Sequence, residues 1–425
     1  MFPRHLKTLI VLASALVLAL PVVAFAQTAR VQGLGIQGDY IKDYTGIFPY
    51  PGTLPTVGNL VIGELGVDNL ILGVDNRAVG AVLGNLWDGK AGTFAVYINQ
   101  VTPAIGQGNA NPGEVGTNAP DPNVNNNNSF DVEWGKAMGG MRLGARLRRA
   151  YISQEYTTPA GVTSELKFDP AAAPNGISLG RNIFGVGVGA SFDWGSGTTA
   201  DLGFHYDSRT ASASGPLNGG LDQKEDSPTS FLFNGRLFWQ WTPNAVVVPV
   251  VKYYSYDLGV QTTAAPTTGA IFKGYQVGGA VDWTLGQDDL LVWGITFAQN
   301  KVEQDANLLI VTGTPFTGTQ ATITETYTPQ VFAALETHVN PWLTLRFGAR
   351  NGAFHHVKIE APTGPEKYER SDSPFQMELG TGIKIGTLQF DAVVNDALPF
   401  AGGYLFTGQT TPGPALTRIT ATYAF

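Results

Sequence analysis

Apolar and polar residues alternate along several long stretches of this chain, and this pattern constrains the fold more than any other feature. The clearest stretch has an apolar face of Phe231, Phe233, Leu237, Trp239 and Trp241 and a polar face of Asn234, Arg236 and Gln240. Comparable stretches cover residues 275–285, 343–350, 375–384 and 388–395. A side-chain period of two is that of a β-strand whose faces lie in different environments, so the sequence predicts an all-β fold.

Short and long connections alternate between the predicted strands. Gly, Asn, Asp and Pro mark tight turns near 88–89, 138–140, 195–197, 243–244, 286–289, 340–341 and 386–387. Longer polar connections cover 67–76, 102–128, 155–176, 214–227, 260–269, 303–320, 359–373 and 396–414. This order is typical of a transmembrane antiparallel β-barrel with short periplasmic turns and long outer loops. It predicts about sixteen strands between residues 57 and 425, and weak alternation in 57–66 and 77–87 leaves fourteen open.

The aromatic residues support a membrane location. The tryptophans lie within about five residues of a predicted short turn: Trp87, Trp134, Trp194, Trp239, Trp241, Trp283, Trp293 and Trp342. Many tyrosines lie towards the opposite strand ends: Tyr151, Tyr206, Tyr254, Tyr256, Tyr275 and Tyr327. Two separate girdles are expected where a barrel meets the two interfaces of a bilayer.

The first 26 residues read as a signal peptide. Arg4 and Lys7 precede an apolar stretch, residues 9–20, which is too short to span a bilayer. The sequence Ala24-Phe25-Ala26 then supplies the small residues that a signal peptidase recognises. The predicted mature chain has 24 basic and 34 acidic residues, a net charge of −10, which argues against a nucleic-acid partner.

Residues 27–56 do not alternate and form a separate N-terminal periplasmic segment in this interpretation. Ile36, Tyr40, Ile41 and Tyr44 require an apolar surface, which predicts that the segment folds into the periplasmic mouth of the barrel as a plug. A disordered leader is the alternative. The barrel is predicted to occupy residues 57–425.

The C-terminus carries a recognisable pattern. Ile419, Ala421, Tyr423 and Phe425 alternate to the last residue, and this ending resembles the insertion signature of bacterial outer-membrane barrels. The resemblance implies insertion by the barrel-assembly machinery into the outer membrane of a Gram-negative bacterium. The layout of a non-barrel segment before the strands is also similar, in architecture only, to the long-chain fatty-acid transporter group.

The inward-facing positions of the predicted strands are rich in charge. The candidate pore-lining residues are Asp131, Glu133, Arg142, Arg146, Arg148, Asp201, His205, Arg236, Asp282, Arg346, Glu378, Lys384 and Asp391. Opposed charges of this kind either set the ion preference of an aqueous pore or form ion pairs that stiffen the wall. The hairpin that carries Asp131 and Glu133 opposite Arg142, Arg146 and Arg148 is the best candidate for either role.

No motif predicts a catalytic, cofactor-binding or metal site. The absence of cysteine removes disulfides, thiolate ligands and thiol nucleophiles. The glycines of Gly185-x-Gly187-x-Gly189 lie inside a predicted strand, where they leave room for a plug or let the wall bend, instead of opening a helix as a dinucleotide loop does. His355 and His356 are adjacent and point to opposite faces of a strand. The chain is therefore not expected to be an enzyme.

The leading functional prediction is a porin-like channel for diffusion of small solutes, because sixteen strands enclose enough space for water. One alternative is a plugged barrel that takes up hydrophobic molecules, for which Leu232, Phe238 and Tyr97 are hints of an apolar lumen. Another is a structural or surface-display barrel that anchors partners. The expected partners are outer-membrane lipid and small solutes, and the sequence leaves a homo-oligomer open.

Overall fold

A computed structural model describes the greater part of the chain. The described residues are 29–69, 74–84, 86–99, 129–156, 177–214, 223–224, 229–257, 271–286, 288–304, 310–311, 314–315, 321–360, 367–394 and 416–425. The predicted signal peptide lies outside these ranges, as do most residues of the predicted long connections.

Sixteen antiparallel strands close into one barrel, as the sequence predicts. They are β1 Leu60–Asn69, β2 Val74–Leu83, β3 Thr93–Asn99, β4 Ser129–Met138, β5 Met141–Tyr156, β6 Ile177–Asp193, β7 Thr199–Ser214, β8 Thr229–Thr242, β9 Ala245–Asp257, β10 Ile271–Leu285, β11 Asp289–Gln304, β12 Ala321–Asn340, β13 Leu343–Gly352 with His355–Glu360, β14 Lys367–Asp372 with Phe375–Ile385, β15 Leu388–Val394 and β16 Leu416–Ala424. The barrel closes where β1 pairs with β16, with Leu60 opposite Ala424. The described residues also include three two-residue strands, Gln223–Lys224, Ile310–Val311 and Thr314–Pro315.

Two predicted boundaries differ from the structure. The barrel begins at Leu60 and not at Val57, because residues Pro51–Thr56 form a 3-10 turn that Val57 ends by donating its backbone N–H to the Leu54 carbonyl at 3.1 Å. The predicted connection 359–373 is shorter than expected, since Lys367–Asp372 pairs with His355–Glu360. The predicted tight turns all join consecutive strands at one end, and Gly139 adopts a φ of +65° in the turn between β4 and β5.

The N-terminal segment, residues 29–56, lies inside the barrel. It consists of a short helix, α1 Ala29–Gly33, and three 3-10 turns at Gly38–Tyr40, Tyr44–Ile47 and Pro51–Thr56. Helix α1 packs against β13 to β16, whereas the turn at Pro51–Thr56 packs against β3 to β7 on the opposite wall. The segment therefore crosses the lumen and is not part of the sheet.

Two apolar clusters hold the N-terminal segment against the wall. Val31, Leu34, Ile36, Tyr40 and Ile41 pack on wall residues Phe238, Val248, Val250, Ala280, Val292, Phe332 and Ala334. Ile47, Phe48 and Leu54 pack on Ile62, Ala78, Val82, Ala95 and Tyr97. Ile36, Tyr40 and Ile41, which the sequence singled out as apolar, are buried in the first of these clusters. Full burial of one such side chain stabilises a fold by roughly 1.5–3 kcal/mol.

Glycines in the wall give the N-terminal segment room for its backbone. A Cβ atom at Gly189 would lie 2.8 Å from the Gly52 nitrogen, and one at Gly135 would lie 2.8 Å from Cδ of Pro55. The other two glycines of the predicted stripe serve the wall itself, because a Cβ at Gly187 would lie 2.5 Å from Nδ1 of His205 and one at Gly185 would meet Asp207.

Candidate functional site

Most predicted pore-lining residues are enclosed within the barrel. Nine are almost fully buried: Asp131, Glu133, Arg146, Arg148, Asp201, His205, Arg236, Arg346 and Asp391. Arg142, Asp282 and Glu378 are half-buried, and Lys384 is exposed at the periplasmic end. The alternation of each strand places these side chains on one face, and their partners come from several strands and from the N-terminal segment.

The predicted hairpin of β4 and β5 forms ion pairs. Asp131 accepts hydrogen bonds from Arg146 at 2.8 Å and from the Asn99 amide at 3.2 Å. Glu133 Oε1 lies 3.6 Å from Nε of the same Arg146. Arg148 pairs with Asp207, a wall residue that the sequence analysis did not select.

Arg236 joins the wall to the N-terminal segment. Its Nε donates to Asp201 at 2.9 Å, and its Nη1 lies 3.2–3.3 Å from the carbonyl oxygens of Gly38, Asp39 and Ile41. The guanidinium also lies 4.3 Å from the ring centroid of Tyr50. A cation that the sequence assigned to the pore wall thus binds backbone carbonyls of the segment.

Further wall side chains bind carbonyls of the N-terminal segment. His205 Nε2 lies 3.0 Å from the Pro49 carbonyl, to which the Asn234 amide also donates at 3.4 Å. Arg146 donates to the Phe48 carbonyl at 3.4 Å. Backbone carbonyls buried in the lumen therefore find donors on the wall, which offsets the cost of removing them from water.

A fully buried ion pair joins the N-terminal segment to the wall. Asp39 and Lys252 are 2% and 1% exposed and contact each other directly, and the Tyr50 hydroxyl donates to Asp39 at 2.7 Å. Burial raises the pKa of Asp39, but Lys252, Arg236 and the hydrogen bond from Tyr50 outweigh burial and hold that pKa below its ordinary value. Neither residue was predicted as a site residue from the sequence. The available signal was a lysine at an inward position within the apolar run of β9.

A chain of alternating charges ties helix α1 to strands β12, β13 and β15 of the wall beside it. Arg30 donates two hydrogen bonds to Glu336, at 2.9 and 2.8 Å, and one to Asp43 at 3.1 Å. Arg346 then bridges Glu336 at 2.6 Å and Asp391 at 2.7 Å. These five residues are called the Arg30 network below.

A cavity of about 920 Å³ opens beside the Arg30 network at the periplasmic end. All five network residues line it, together with Lys384, His338 and the turn residues Asp288 and Asp289. Tyr44 of the N-terminal segment also lines this cavity, and its hydroxyl donates to Glu64 on β1 at 2.9 Å. The lining of the cavity is therefore mostly polar, and residues of the N-terminal segment form part of it.

The outer half of the lumen carries a second polar cluster. His355 Nε2 lies 2.7 Å from Glu325, and its Nδ1 contacts Asp372, while the Tyr327 ring stacks on the imidazole. His356 points away and contacts Ser371 at 3.0 Å, as the opposite faces of adjacent strand residues require. Among the residues that the structure describes, no group of three or more His, Asp or Glu is arranged to hold a metal ion.

The outward face of the barrel is apolar, whereas the surface residues of a soluble protein are mostly polar. All the tryptophans are exposed near the short turns, and apolar residues such as Val188, Phe204 and Phe347 are exposed between the two ends. A broad apolar band around a closed sheet with a polar interior is stable only in lipid. The chain is a bacterial outer-membrane β-barrel. No helix within the described ranges is long and apolar enough to cross a membrane.

The second aromatic girdle of this outer-membrane barrel is sparser than the sequence suggests. Tyr151, Tyr206 and Tyr275 are exposed on the outer surface. Tyr254 and Tyr256 face the lumen instead, where they stack on each other with ring centroids 5.1 Å apart and pack against Leu232. The parity of β9 explains the difference, because both tyrosines share the inward face with Lys252.

Known proteins that resemble this chain share its barrel fold. No family model and no curated protein matches the chain. The toluene transporter TodX from Pseudomonas putida is 10% identical, with 94% of this chain and 98% of that chain covered and a TM-score of 0.39. CdiB from Escherichia coli is 10% identical at a TM-score of 0.42, with 87% of this chain covered. This outer-membrane barrel spans 63% of the length of CdiB.

Proposed function

We propose that this protein is a gated passage for small polar solutes across the outer membrane, which the N-terminal segment closes at rest. The observation that carries the proposal is the position of residues 29–56 within the lumen, in contact with both walls. It modifies the porin-like prediction, because the space inside the sheet is occupied by the chain itself. The proposal includes no catalytic step and no cofactor.

The contacts of the N-terminal segment are of a kind that can be broken and remade. Its backbone pairs with none of the described strands. Side chains hold it: the Arg30 network at one end, and Arg236, Asp39 and Lys252 further in. Release of the segment therefore leaves the hydrogen-bond ladder of the barrel intact, and the apolar clusters and ion pairs set the energy of opening.

The chemistry of the wall favours polar over apolar solutes. Phe238 and Tyr97, which hinted at an apolar passage, are covered by residues of the N-terminal segment. Leu232 packs against two tyrosines. The cavity at the periplasmic end is instead lined by charged and polar side chains. A molecule that passes this wall meets carboxylates, guanidinium groups and amides, which form hydrogen bonds and ion pairs with a polar solute.

A reversible covalent lock tests whether the N-terminal segment is the gate. The Ala29 backbone N–H donates to Oγ1 of Thr420 on β16 at 2.9 Å, so the two residues are in contact and Ala29→Cys with Thr420→Cys is a suitable pair for a disulfide in a chain that has no other cysteine. Residues 57–59 join the segment to β1, so this disulfide fixes the segment at both ends. We expect Arg30→Ala to increase channel openings in a planar bilayer, because it removes the bonds to Glu336 and Asp43.

The lock is then added to the Arg30→Ala variant. Oxidation should abolish the openings and reduction should restore them, whereas each single-cysteine variant should conduct equally under both conditions. Equal conductance of the oxidised and reduced double-cysteine protein would show that the N-terminal segment is not the gate.

A further inference from the structure

A buried carboxylate in the wall has less compensation than its neighbours. Glu133 is 0% exposed, and neither of its oxygens accepts a hydrogen bond from any described residue. Its nearest cation, Arg146, lies at 3.6 Å and already forms a 2.8 Å hydrogen bond with Asp131. Arg146 thus serves both carboxylates, whereas Arg148 pairs with Asp207 and lies opposite Asp131, not Glu133, in the strand register. An ionised carboxylate in this position needs a further positive group.

A second unsatisfied oxygen lies on the same inner face. The Tyr97 hydroxyl is buried and has no hydrogen-bond partner among the described residues. Tyr97 lies opposite Asp131, and Ala95 lies opposite Glu133, so Tyr97 and Glu133 are diagonal neighbours across β3 and β4. Glu133 is also the strongest charged neighbour of the Tyr97 hydroxyl. Phe48 covers this place from the N-terminal segment, with its ring 4.7 Å from that of Tyr97.

These groups define the chemistry of a missing partner. Three oxygens, two on Glu133 and one on Tyr97, have no hydrogen-bond donor among the described residues, and an ionised Glu133 carries a negative charge. A primary ammonium group carries one positive charge and three N–H donors, whereas a hard metal ion needs six or more oxygen ligands. We propose that Glu133 and Tyr97 form a recognition site for the primary ammonium group of a small solute. This inference rests on the proposed function, because it names the class of solute that the passage takes.

Polar side chains connect this site with the periplasmic cavity. Asp43 and Tyr44 line the cavity, and Tyr44 donates to the buried Glu64 at 2.9 Å. Glu64 is, after Glu133, the strongest charged neighbour of the Tyr97 hydroxyl. Acceptor groups therefore follow one another from the cavity to Glu133, along the side of the N-terminal segment. A cation is favoured at each step of such a route.

Thermal unfolding of the full-length barrel in detergent tests the site without requiring the channel to open. The probe is methylammonium chloride, and the reference is tetramethylammonium chloride at equal ionic strength, whose cation has the same charge but no N–H donor. A ligand that binds only the folded protein raises Tm in a dose-dependent manner. We expect methylammonium, but not tetramethylammonium, to raise Tm of the wild-type protein.

Matched variants assign the effect to these residues. Glu133→Gln and Tyr97→Phe should lose the Tm shift specific to methylammonium, while Glu303→Gln should retain it, because Glu303 lies at the outer end of β11 and pairs with Lys301 at 2.7 Å. An equal response of the wild-type protein to the two salts overturns the proposal, as does an unchanged shift in Glu133→Gln. If oxidation of the double-cysteine protein left its conductance unchanged, the proposed gate would be wrong, but the result of this binding measurement would still stand.

Discussion

At the scale of single residues, the lumen depends on charges that are buried in pairs. Asp39 and Lys252 illustrate this dependence, because removal of either residue takes away the direct ionic partner of the other. Loss of one partner of a buried pair typically costs about 3–5 kcal/mol, whereas replacement of both by apolar residues is often neutral. The pair therefore fixes where the N-terminal segment lies, and its net contribution to stability is small.

The ion pair predicts how the gate responds to acid. The pKa of Asp39 is lower in the folded protein than the ordinary value of about 3.9 in the unfolded chain. The stabilisation is thus fully present above about pH 4 and is lost as the pH falls through the folded pKa. We expect Lys252→Met to expose residues 36–50 to hydrogen exchange at pH 7, and Asp39→Leu with Lys252→Met to restore protection and reduce the acid sensitivity to that of the Arg30 network. A double variant as acid-sensitive as the wild-type protein would contradict this assignment.

The sequence showed which of these side chains face inward but not which groups they bind. Inward direction follows from strand parity, which is local. The partners of Arg236 are carbonyl oxygens nearly 200 positions away, and every residue carries a carbonyl, so no residue type marks them. The role of Lys252 was not predictable for a related reason, because its partner Asp39 belongs to a segment without any periodicity.

At the scale of elements, the wall and the N-terminal segment are complementary in shape. The strands were predictable because alternation and turn residues act locally. The path of the segment was not, since it is set by where the inner wall lacks side chains. Gly189 is one such place, with the backbone of Pro51 and Gly52 against it.

A bulky residue at Gly189 should displace the N-terminal segment and leave the barrel folded. In Gly189→Val the new Cβ would lie 2.8 Å from the Gly52 nitrogen and from N and Cδ of Pro51, and none of these atoms belongs to a flexible side-chain end. Valine is itself well suited to a strand. We expect more frequent channel openings in a planar bilayer, with unchanged heat-modifiable mobility of the barrel in gels.

Gly279→Val is the matched control, because a Cβ at Gly279 of β10 meets nothing within 4 Å. It should behave as the wild-type protein does in both assays. If the two valine variants conducted alike, the close approach at Gly189 would have no part in closing the lumen.

At the scale of the whole molecule, the two kinds of ion pair lie in different surroundings. The Asp39–Lys252 pair is enclosed, whereas the Arg30 network borders the periplasmic cavity and the Arg30 side chain is 22% exposed. The number of strands and the polarity of both faces followed from the sequence. The division of the lumen into an enclosed ion pair and a network beside the cavity did not follow from the sequence. It depends on contacts between residues 29–56 and strands on both sides of the barrel.

The partly exposed side chain of Arg30, at the edge of the periplasmic cavity, predicts a gate that salt loosens. Mobile ions reduce the Debye length from about 10 Å at 0.1 M to about 3 Å at 1 M, and they screen partly exposed pairs far more than enclosed ones. Mean closed times of single channels should therefore shorten as KCl rises from 0.1 to 1 M. Arg30→Met should shorten them at low salt by about fivefold, the equivalent of about 1 kcal/mol for a partly exposed ion pair, and should abolish most of the salt dependence.

Lys301→Met is the control for this measurement, since it removes a cation from an exposed pair at the outer end of β11, far from the cavity. Its closed times should retain the salt dependence of the wild-type protein. Closed times that lengthen with salt would mean that apolar contacts and the enclosed pair hold the segment. Closed times that remain as salt-dependent in Arg30→Met as in the wild-type protein would mean that Arg30 is not the salt-sensitive contact. The cavity would then be a passage beside the gate, and the Arg30 network would be part of its wall.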